Sequence, residues 1–539
     1  MLTRIFSAKC IGVDAVRVTV EVEMSSGIGI HLCGMADVAV KESLLRTTTS
    51  LSSLGYHVPG KRIVINLAPA DLQKNGSGYD LPIALGILAA SGQKELPGLS
   101  RYLVMGELGL NGSVRSIPAA LAYAELAVKS GLDGIVLPEG SALEASEFKD
   151  INVFGISSLD DAVRILEEKE DPSEFLVRNS RLFRKLQRER HHLKEDGNIP
   201  DFADIVGQEV AKRGLEIAAA GGHNVIMLGS PGSGKSSLAK ALEGIMPPMT
   251  RDEAFVTSKI YSIAGIRDAS LGLMSRRPFR SPHCTSSLAA VIGGGAGSSV
   301  APGEVSLAHN GILFTDEFMQ MPRAVTEALR APMEDRKVII SRLKSKVEYP
   351  ASFMLVAAAN PCPCGYWGDG DRCTCTPYQR AAYLSRLSGP ILDRIDIQLF
   401  CPRVSTDRIM QTGKAESSAD VAARVLKARI IQKNRFLQEN NAPGTAGKTM
   451  TNNTSGAAVT TMTNAEMTNR QIEKYCPLTP ACRETLSKII DNMQLSMRAY
   501  FRIIKVARTI ADLEGAADIS PAHLAEAAGY RFLDREQEF

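Results

Sequence analysis

An α/β protein of several domains is the fold class this sequence predicts. Strand and helix signals alternate through the first ~165 residues, and again from Asp201 to Arg403. The second block opens on an apolar strand, a glycine-rich turn and a helix. At 539 residues the chain exceeds what one core can organise.

The elements follow in order. Val16, Val18, Val20, Val22 and Met24 alternate with Arg17, Thr19, Glu21 and Glu23, which predicts a strand with one wet face. "VAVKESLLRTTTSLSSLG" has helical periodicity and stops at Gly55, where a left-handed cap suits. "RIVINLAP" reads as a short buried strand, and "YDLPIALGILAASG" as a helix covered on both faces. Residues 1–166 are thus one α/β or α+β domain. Residues 167–200 turn charged and are basic from Arg178 to Lys194, either a solvated connector or a strip for phosphates. Residues 201–403 form the second α/β block, and 404–539 are mostly helical, with Ser520-Pro521 as an N-cap and first helical residue. A Thr, Asn, Gly and Ala-rich stretch near 440–465 cannot bury much and is expected to be a disordered insertion.

Composition narrows the class. Hydrophobic content of 44% and charged content of 22% are those of an ordinary globular protein. A net charge of +3 is close to neutral at this length, so any nucleic-acid surface must be local. The N-terminus lacks the apolar core of a secretory signal, and no apolar run approaches the ~20 residues of a membrane helix. Cysteines 10, 33, 284, 401, 476 and 482 are scattered, which suits reduced thiols. The expectation is a cytoplasmic protein with no membrane association.

"GSPGSGKSS", Gly229, Ser230, Pro231, Gly232, Ser233, Gly234, Lys235, Ser236 and Ser237, has the spacing of a phosphate-binding loop. Its glycines let backbone N–H groups wrap phosphates at the new helix's positive end. Lys235 is expected on the β and γ phosphates of ATP and Ser236 on Mg²⁺. The strand "ILFT" ends in Asp316-Glu317, where one acid can hold Mg²⁺ and its neighbour can serve as general base. The strand "MLVAAA" delivers Asn360 to the same edge, where its amide can orient a water. Arg394 and Arg498 follow in an order that fits two cation roles, Arg394 toward a neighbouring subunit's ATP and Arg498 over the chain's own.

Taken together, "IVGQEVAKRGLEIAAAGGHNVIMLGSPGSGKS", "RPFRSPHCTSS", "PGEVSLAHNGILFTDEF", "LSGPILDRID" and "SMRAYFRIIKVARTIADL" resemble the magnesium-chelatase-related AAA+ ATPases, in the ComM (YifB-like) competence helicase branch. The likeness runs through nearly the whole chain. It implies an AAA+ ATPase core over 201–403 and a C-terminal helical lid. It also implies a ring, a hexamer, that moves DNA in branch migration during natural transformation. Catalytic roles for Lys235, Glu317, Asn360, Arg394 and Arg498, with Asp316 and Ser236 on Mg²⁺, carry over by motif. One departure is the family's second histidine in "RSPHHT", which is Cys284 here.

The first domain resembles the proteolytic domain of Lon-type proteases (an S5 domain 2-like fold) in "APADLQKNGSGYDLPIALG". The serine and lysine of that pattern fall on Gly78 and Leu121, which removes nucleophile and base together. Ser77 stands one residue away. In "EDRKVIISRLKSKVEYPASF" two short strands place Lys344 and Lys346 at a hairpin tip, either a DNA contact or a soluble surface turn. In related ring ATPases that hairpin points into the central pore. Finally, Cys362, Cys364, Cys373 and Cys375 crowd one loop after Asn360, the donor set for a structural zinc ion. An unmetallated loop and a redox switch are the alternatives there. Readings other than a DNA motor are a metal-insertion ATPase subunit, a Lon-like protease and an ATPase that remodels protein partners.

Overall fold

The structure is a computed structural model that describes residues 2–192, 199–266, 272–295, 300–342, 345–404, 416–440 and 462–534. Two sheets organise it. The N-terminal sheet has seven strands, in the order Gly29–Cys33, Arg62–Ala68, Asp14–Ser25, Leu2–Ile11, Tyr102–Val104, Gly134–Pro138 and Asn152–Ile156. It is antiparallel where the hairpin of the first two strands dominates and parallel toward Asn152–Ile156. Val18, Val20 and Val22 point into its core as the alternation requires, while Val16 lies at the exposed end of the strand. The helix Asp80–Ala90 is buried almost all round, which accounts for its unbroken apolar composition.

The second sheet has five strands, all parallel, in the order Phe279–Arg280, Ile312–Thr315, Met354–Ala359, Val225–Leu228 and Ile397–Phe400. Its strands are continuous apolar runs because both faces are covered. One face packs on helices Glu209–Gly221 and Lys235–Ile245, and on the C-terminal helices Ser418–Asn440, Pro480–Met493 and Met497–Glu514. The other face carries Leu288–Ile292, Glu304–Leu307 and an antiparallel hairpin, Lys337–Arg342 with Ser345–Pro350.

A buried polar network ties the C-terminal helices to the sheet. His223 Nδ1 lies 3.3 Å from Asp396, and its Nε2 lies 2.8 Å from Thr509 Oγ1. Asn464 Nδ2 donates to Thr509 at 3.1 Å and to Asp512 at 2.8 Å, and Asp512 accepts from both Arg435 and Arg508. Burial alone would raise the Asp396 carboxyl, but Arg502 and His223 pull it far below the usual carboxylate range.

The N-terminal domain sits on the helix Arg251–Ala264. Lys259 Nζ reaches Asp14 at 3.1 Å and Glu125 at 2.5 Å, and Ser262 Oγ donates to Glu144 at 2.9 Å. Val13, at the turn between the first two strands, packs into the same apolar cluster as the hairpin residues Val338 and Val347. Among the described residues no helix is long and apolar enough to cross a membrane.

Candidate functional site

Parallel strands put their C-terminal ends on one edge, and that edge collects the expected catalytic groups. Val225–Leu228 runs into the loop 229–234, which becomes the helix Lys235–Ile245. Gly232 and Gly234 hold φ of +78° and +89°, and no heavy atom lies within 4 Å of where a side chain would start on either. Gly234 is the left-handed residue that leads into the helix, and no side chain crowds the loop there. Lys235 is buried, and its Nζ donates to the carbonyls of Gly229 at 2.6 Å and Ser230 at 3.1 Å, leaving it without a carboxylate partner. Burial lowers the affinity of that ammonium for its proton, partly offset by Cys401 and Asp316.

Ser236 Oγ donates to Asp316 Oδ2 at 3.1 Å, across from helix start to strand end. Glu317 follows in a left-handed conformation, φ +51°, with its N–H on Asp316 Oδ1 at 2.9 Å. Such backbone is strained for a glutamate and swings the side chain off the strand direction. Asn360 follows Ala359, which pairs in register with Leu228 and accepts from the Gly229 N–H at 3.3 Å. Lys235, Ser236, Asp316, Glu317 and Asn360 thus share one end of the sheet. Pro231, Gly232 and Ser237 are exposed around them.

Three buried hydroxyls there, Ser230 Oγ, Ser233 Oγ and Thr315 Oγ1, have no hydrogen-bond partner. Buried polar atoms are rarely left unsatisfied, so this is a site shaped for a polar ligand. Together with a lysine held only by carbonyls and a Ser–Asp pair of metal-binding type, the residues fit a nucleotide triphosphate and Mg²⁺.

Sequence reasoning missed one interaction. Cys284 Sγ donates to Glu317 Oε2 at 3.6 Å. Burial and this carboxylate raise the Cys284 thiol, so it stays protonated and able to donate. The signal was the departure "PHCTSS" itself.

The two arginines are elsewhere. A cavity of about 650 Å³ is lined by Asn224, Glu334, Arg394, Asp396, Arg498 and Arg502, among others. Asn224 and Asp396 precede their strands, so the cavity lies on the edge opposite the phosphate loop, one strand length away, roughly 13 Å. Arg394 pairs with Glu334, and its buried Nε has no partner. Arg498 lies in the first turn of the helix Met497–Glu514, which Ser496 caps; its side chain is 69% exposed and lies 3.5 Å from Asp393. In this structure Arg498 thus stands at the far edge from the chain's own phosphate loop and not over it as expected. Helix Met497–Glu514 is fastened to the sheet by the His223–Asp396–Thr509 network, which keeps its first turn beside Arg394.

Lys346 is exposed on the hairpin, paired in register with Ser341, while Lys344 lies outside the described residues. Most of the Thr/Asn-rich stretch near 440–465 lies outside them as well. In the N-terminal domain a Cβ on Gly78 would stand 2.9 Å from Met105 Cε, so a side chain there needs that methionine to shift, and Leu121 is wholly buried. Ser77 Oγ donates to Glu107, a carboxylate, rather than to a lysine. The four loop cysteines do come together, with sulfur atoms all within 4.8 Å of one another, a cluster compatible with zinc.

Three family descriptions match consecutive parts of the chain: "Magnesium chelatase, subunit ChlI" over residues 201–409, "Subunit ChlI of Mg-chelatase" over 20–141, and "Magnesium chelatase, subunit ChlI C-terminal" over 415–531. The chain is 40% identical to the uncharacterized protein YifB of Salmonella typhimurium, over 99% of this chain and 98% of that one. It is 39% identical to competence protein ComM of Haemophilus influenzae over the same shares. A shorter likeness, 28% identity across 28% of each chain, links it to Lon protease 2 of Bacillus subtilis. With the phosphate loop, the Asp-Glu strand end and such full-length similarity in hand, the chain belongs to the ComM/YifB-like branch of the magnesium-chelatase-related AAA+ proteins.

Proposed function

We propose that this protein is an ATP-driven ring motor, hexameric, that moves branched or single-stranded DNA in recombination and natural transformation. The observation that carries this reading is the split of the catalytic groups between opposite edges of one sheet. Lys235, Asp316, Glu317 and Asn360 sit on one edge, while Arg394 and Arg498 line a cavity at the other. A subunit so built completes its neighbour's site and cannot complete its own. Bound Mg²⁺·ATP supplies the scissile γ-phosphoryl bond. Lys235 neutralises the β and γ phosphates, Ser236 and Asp316 hold the metal, and Asn360 orients water. Glu317 accepts the proton from that water. Arg394 and Arg498 of the adjoining subunit bring positive charge to the γ-phosphate, a contribution on the order of 10³ or more in rate.

The name of the Haemophilus relative supports a role in competence, and so in handling DNA. Lys344 and Lys346 on the hairpin are the proposed contacts with the DNA backbone. The domain plan that fits is a Lon-like platform over 1–166 without its catalytic pair, a linker over 167–200, the AAA+ core over 201–403 and a helical lid over 404–539. That platform has no peptidase activity in this reading. ATP-dependent casein hydrolysis that vanished in Ser77→Ala would overturn it. The cysteine cluster is a structural zinc site, and the setting is the cytoplasm.

The test is ATP turnover with and without forked DNA, beside Glu317→Gln. DNA should stimulate turnover, and the variant should bind ATP yet turn over about 100-fold more slowly, since an amide cannot take the proton. Undiminished turnover in Glu317→Gln would refute the assignment. The chelatase descriptions favour a second reading, a metal-insertion ATPase subunit. Turnover indifferent to DNA would favour it.

A further inference from the structure

Four sulfurs surround one point in the loop that leaves Asn360. Cys362 Sγ lies 3.3 Å from Cys364 and 3.8 Å from Cys373, and Cys364 lies 3.7 Å from Cys373. Thiolates at about 2.3 Å from a tetrahedral zinc stand about 3.8 Å apart, so two of these edges already have the length the metal imposes. All four cysteines are free of disulfides, and Cys362 is fully buried.

Between the strand ending at Ala359 and the helix starting at Pro377 the loop has no helix or strand beyond the short turn Gly370–Arg372. Two tight turns shape its first half, with the Gly365 N–H on the Cys362 carbonyl at 2.9 Å and the Asp369 N–H on the Tyr366 carbonyl at 3.0 Å. Gly365, Gly368 and Gly370 all have positive φ. A segment so rich in glycine needs a tie to keep one conformation.

Its position gives that tie a consequence. At Gly365, φ +85°, a Cβ would stand 3.1 Å from Pro231 Cδ and 3.8 Å from Asn360 Cγ. The loop backbone therefore leans on the phosphate loop's own proline, leaving no side chain's width between them. Trp367 meets Phe400 edge-on, ring centroids 6.0 Å apart, and Phe400 meets Phe532 at 6.4 Å. Phe400 closes the strand beside Val225–Leu228, so the loop is braced against the same sheet edge that bears the nucleotide groups.

We infer that Cys362, Cys364, Cys373 and Cys375 bind one zinc ion, and that the metal-closed loop props the phosphate loop through Gly365 and Pro231. Zinc occupancy then sets nucleotide affinity. The second half rests on the nucleotide reading above. Loss of the metal frees four side chains at once and withdraws the support behind Pro231, and the loop 229–234 must then be ordered by the ligand itself.

The experiment uses full-length protein purified without oxygen or chelator. Elemental analysis should find one zinc per chain, and Cys373→Ser/Cys375→Ser should lose it. Trp367 is the only tryptophan, so its emission reads the loop directly and should shift in the zinc-free variant. Affinity for a fluorescent ATP analogue with Mg²⁺ should fall about tenfold in that variant. Gly365→Ala provides a second arm: an alanine at φ +85° strains the turn and crowds Pro231, so the variant should keep its zinc by elemental analysis yet weaken the analogue.

Absence of zinc from the wild type, or a disulfide among the four cysteines in its place, overturns the proposal. Zinc present in the wild type and lost from Cys373→Ser/Cys375→Ser, with unaltered analogue binding in both variants, overturns the coupling and leaves the ATP reading standing. Failure of the zinc-loaded wild type to bind the analogue at all refutes the nucleotide reading, and the coupling with it.

Discussion

His309 is buried three residues before the strand Ile312–Thr315, and its Nδ1 accepts from the Ser352 N–H at 3.0 Å. That bond requires the neutral ring, and burial pushes the imidazole from its ordinary 6.5 down to about 4. The unfolded chain binds the proton first, so the stability His309 contributes is complete above pH 6.5 and is lost as pH falls toward 4. The window corresponds to about 3 kcal/mol. Urea unfolding of His309→Gln beside wild type should show a shallower loss between those values, whereas parallel curves would mean another group titrates. Much at this scale was legible in the sequence. Lys235, Asp316, Glu317 and Asn360 are placed by strand ends and a glycine turn, which are local signals. The Cys284–Glu317 hydrogen bond was not legible, because those residues are brought together only by the pairing of Phe279–Arg280 with Ile312–Thr315.

The helix Met497–Glu514 shows what holds at the scale of elements. Its periodicity, its Ser496 cap and its Gly515 stop are written in the sequence, but its orientation is set by a network no local pattern announces. Asp512 is buried between Arg435 and Arg508, so removing it strands two guanidinium groups. Asp512→Ala should cost about 3–5 kcal/mol in denaturant unfolding, and a loss under about 1 kcal/mol would show that the pair is solvated. The same lack of a local signal explains Arg498. Its place beside Asp393 and Arg394 depends on His223 and Asp396 anchoring the helix to the far end of the strands. The hairpin Lys337–Pro350 was legible from alternation alone, and its exposed Lys346 gives a second test. Lys344→Ala/Lys346→Ala should weaken forked-DNA binding and flatten its salt dependence by about 0.7–0.9 for each phosphate no longer neutralised. Binding that kept its salt slope would remove the hairpin from the DNA path.

For the whole molecule the sheet's polarity is decisive. Parallel strands separate their two ends by one strand length, and this chain loads one end with the phosphate loop and its acids and the other with two arginines. In the proposed closed ring of identical subunits those ends meet at every interface. The most direct test mixes two inactive proteins, Lys235→Ala and Arg394→Ala, and measures ATP turnover after exchange. Each alone should be nearly inactive, and an equal mixture should regain activity because about one interface in four has both groups intact. A mixture no faster than its components, or an Arg394→Ala protein as fast as wild type, would contradict the shared site.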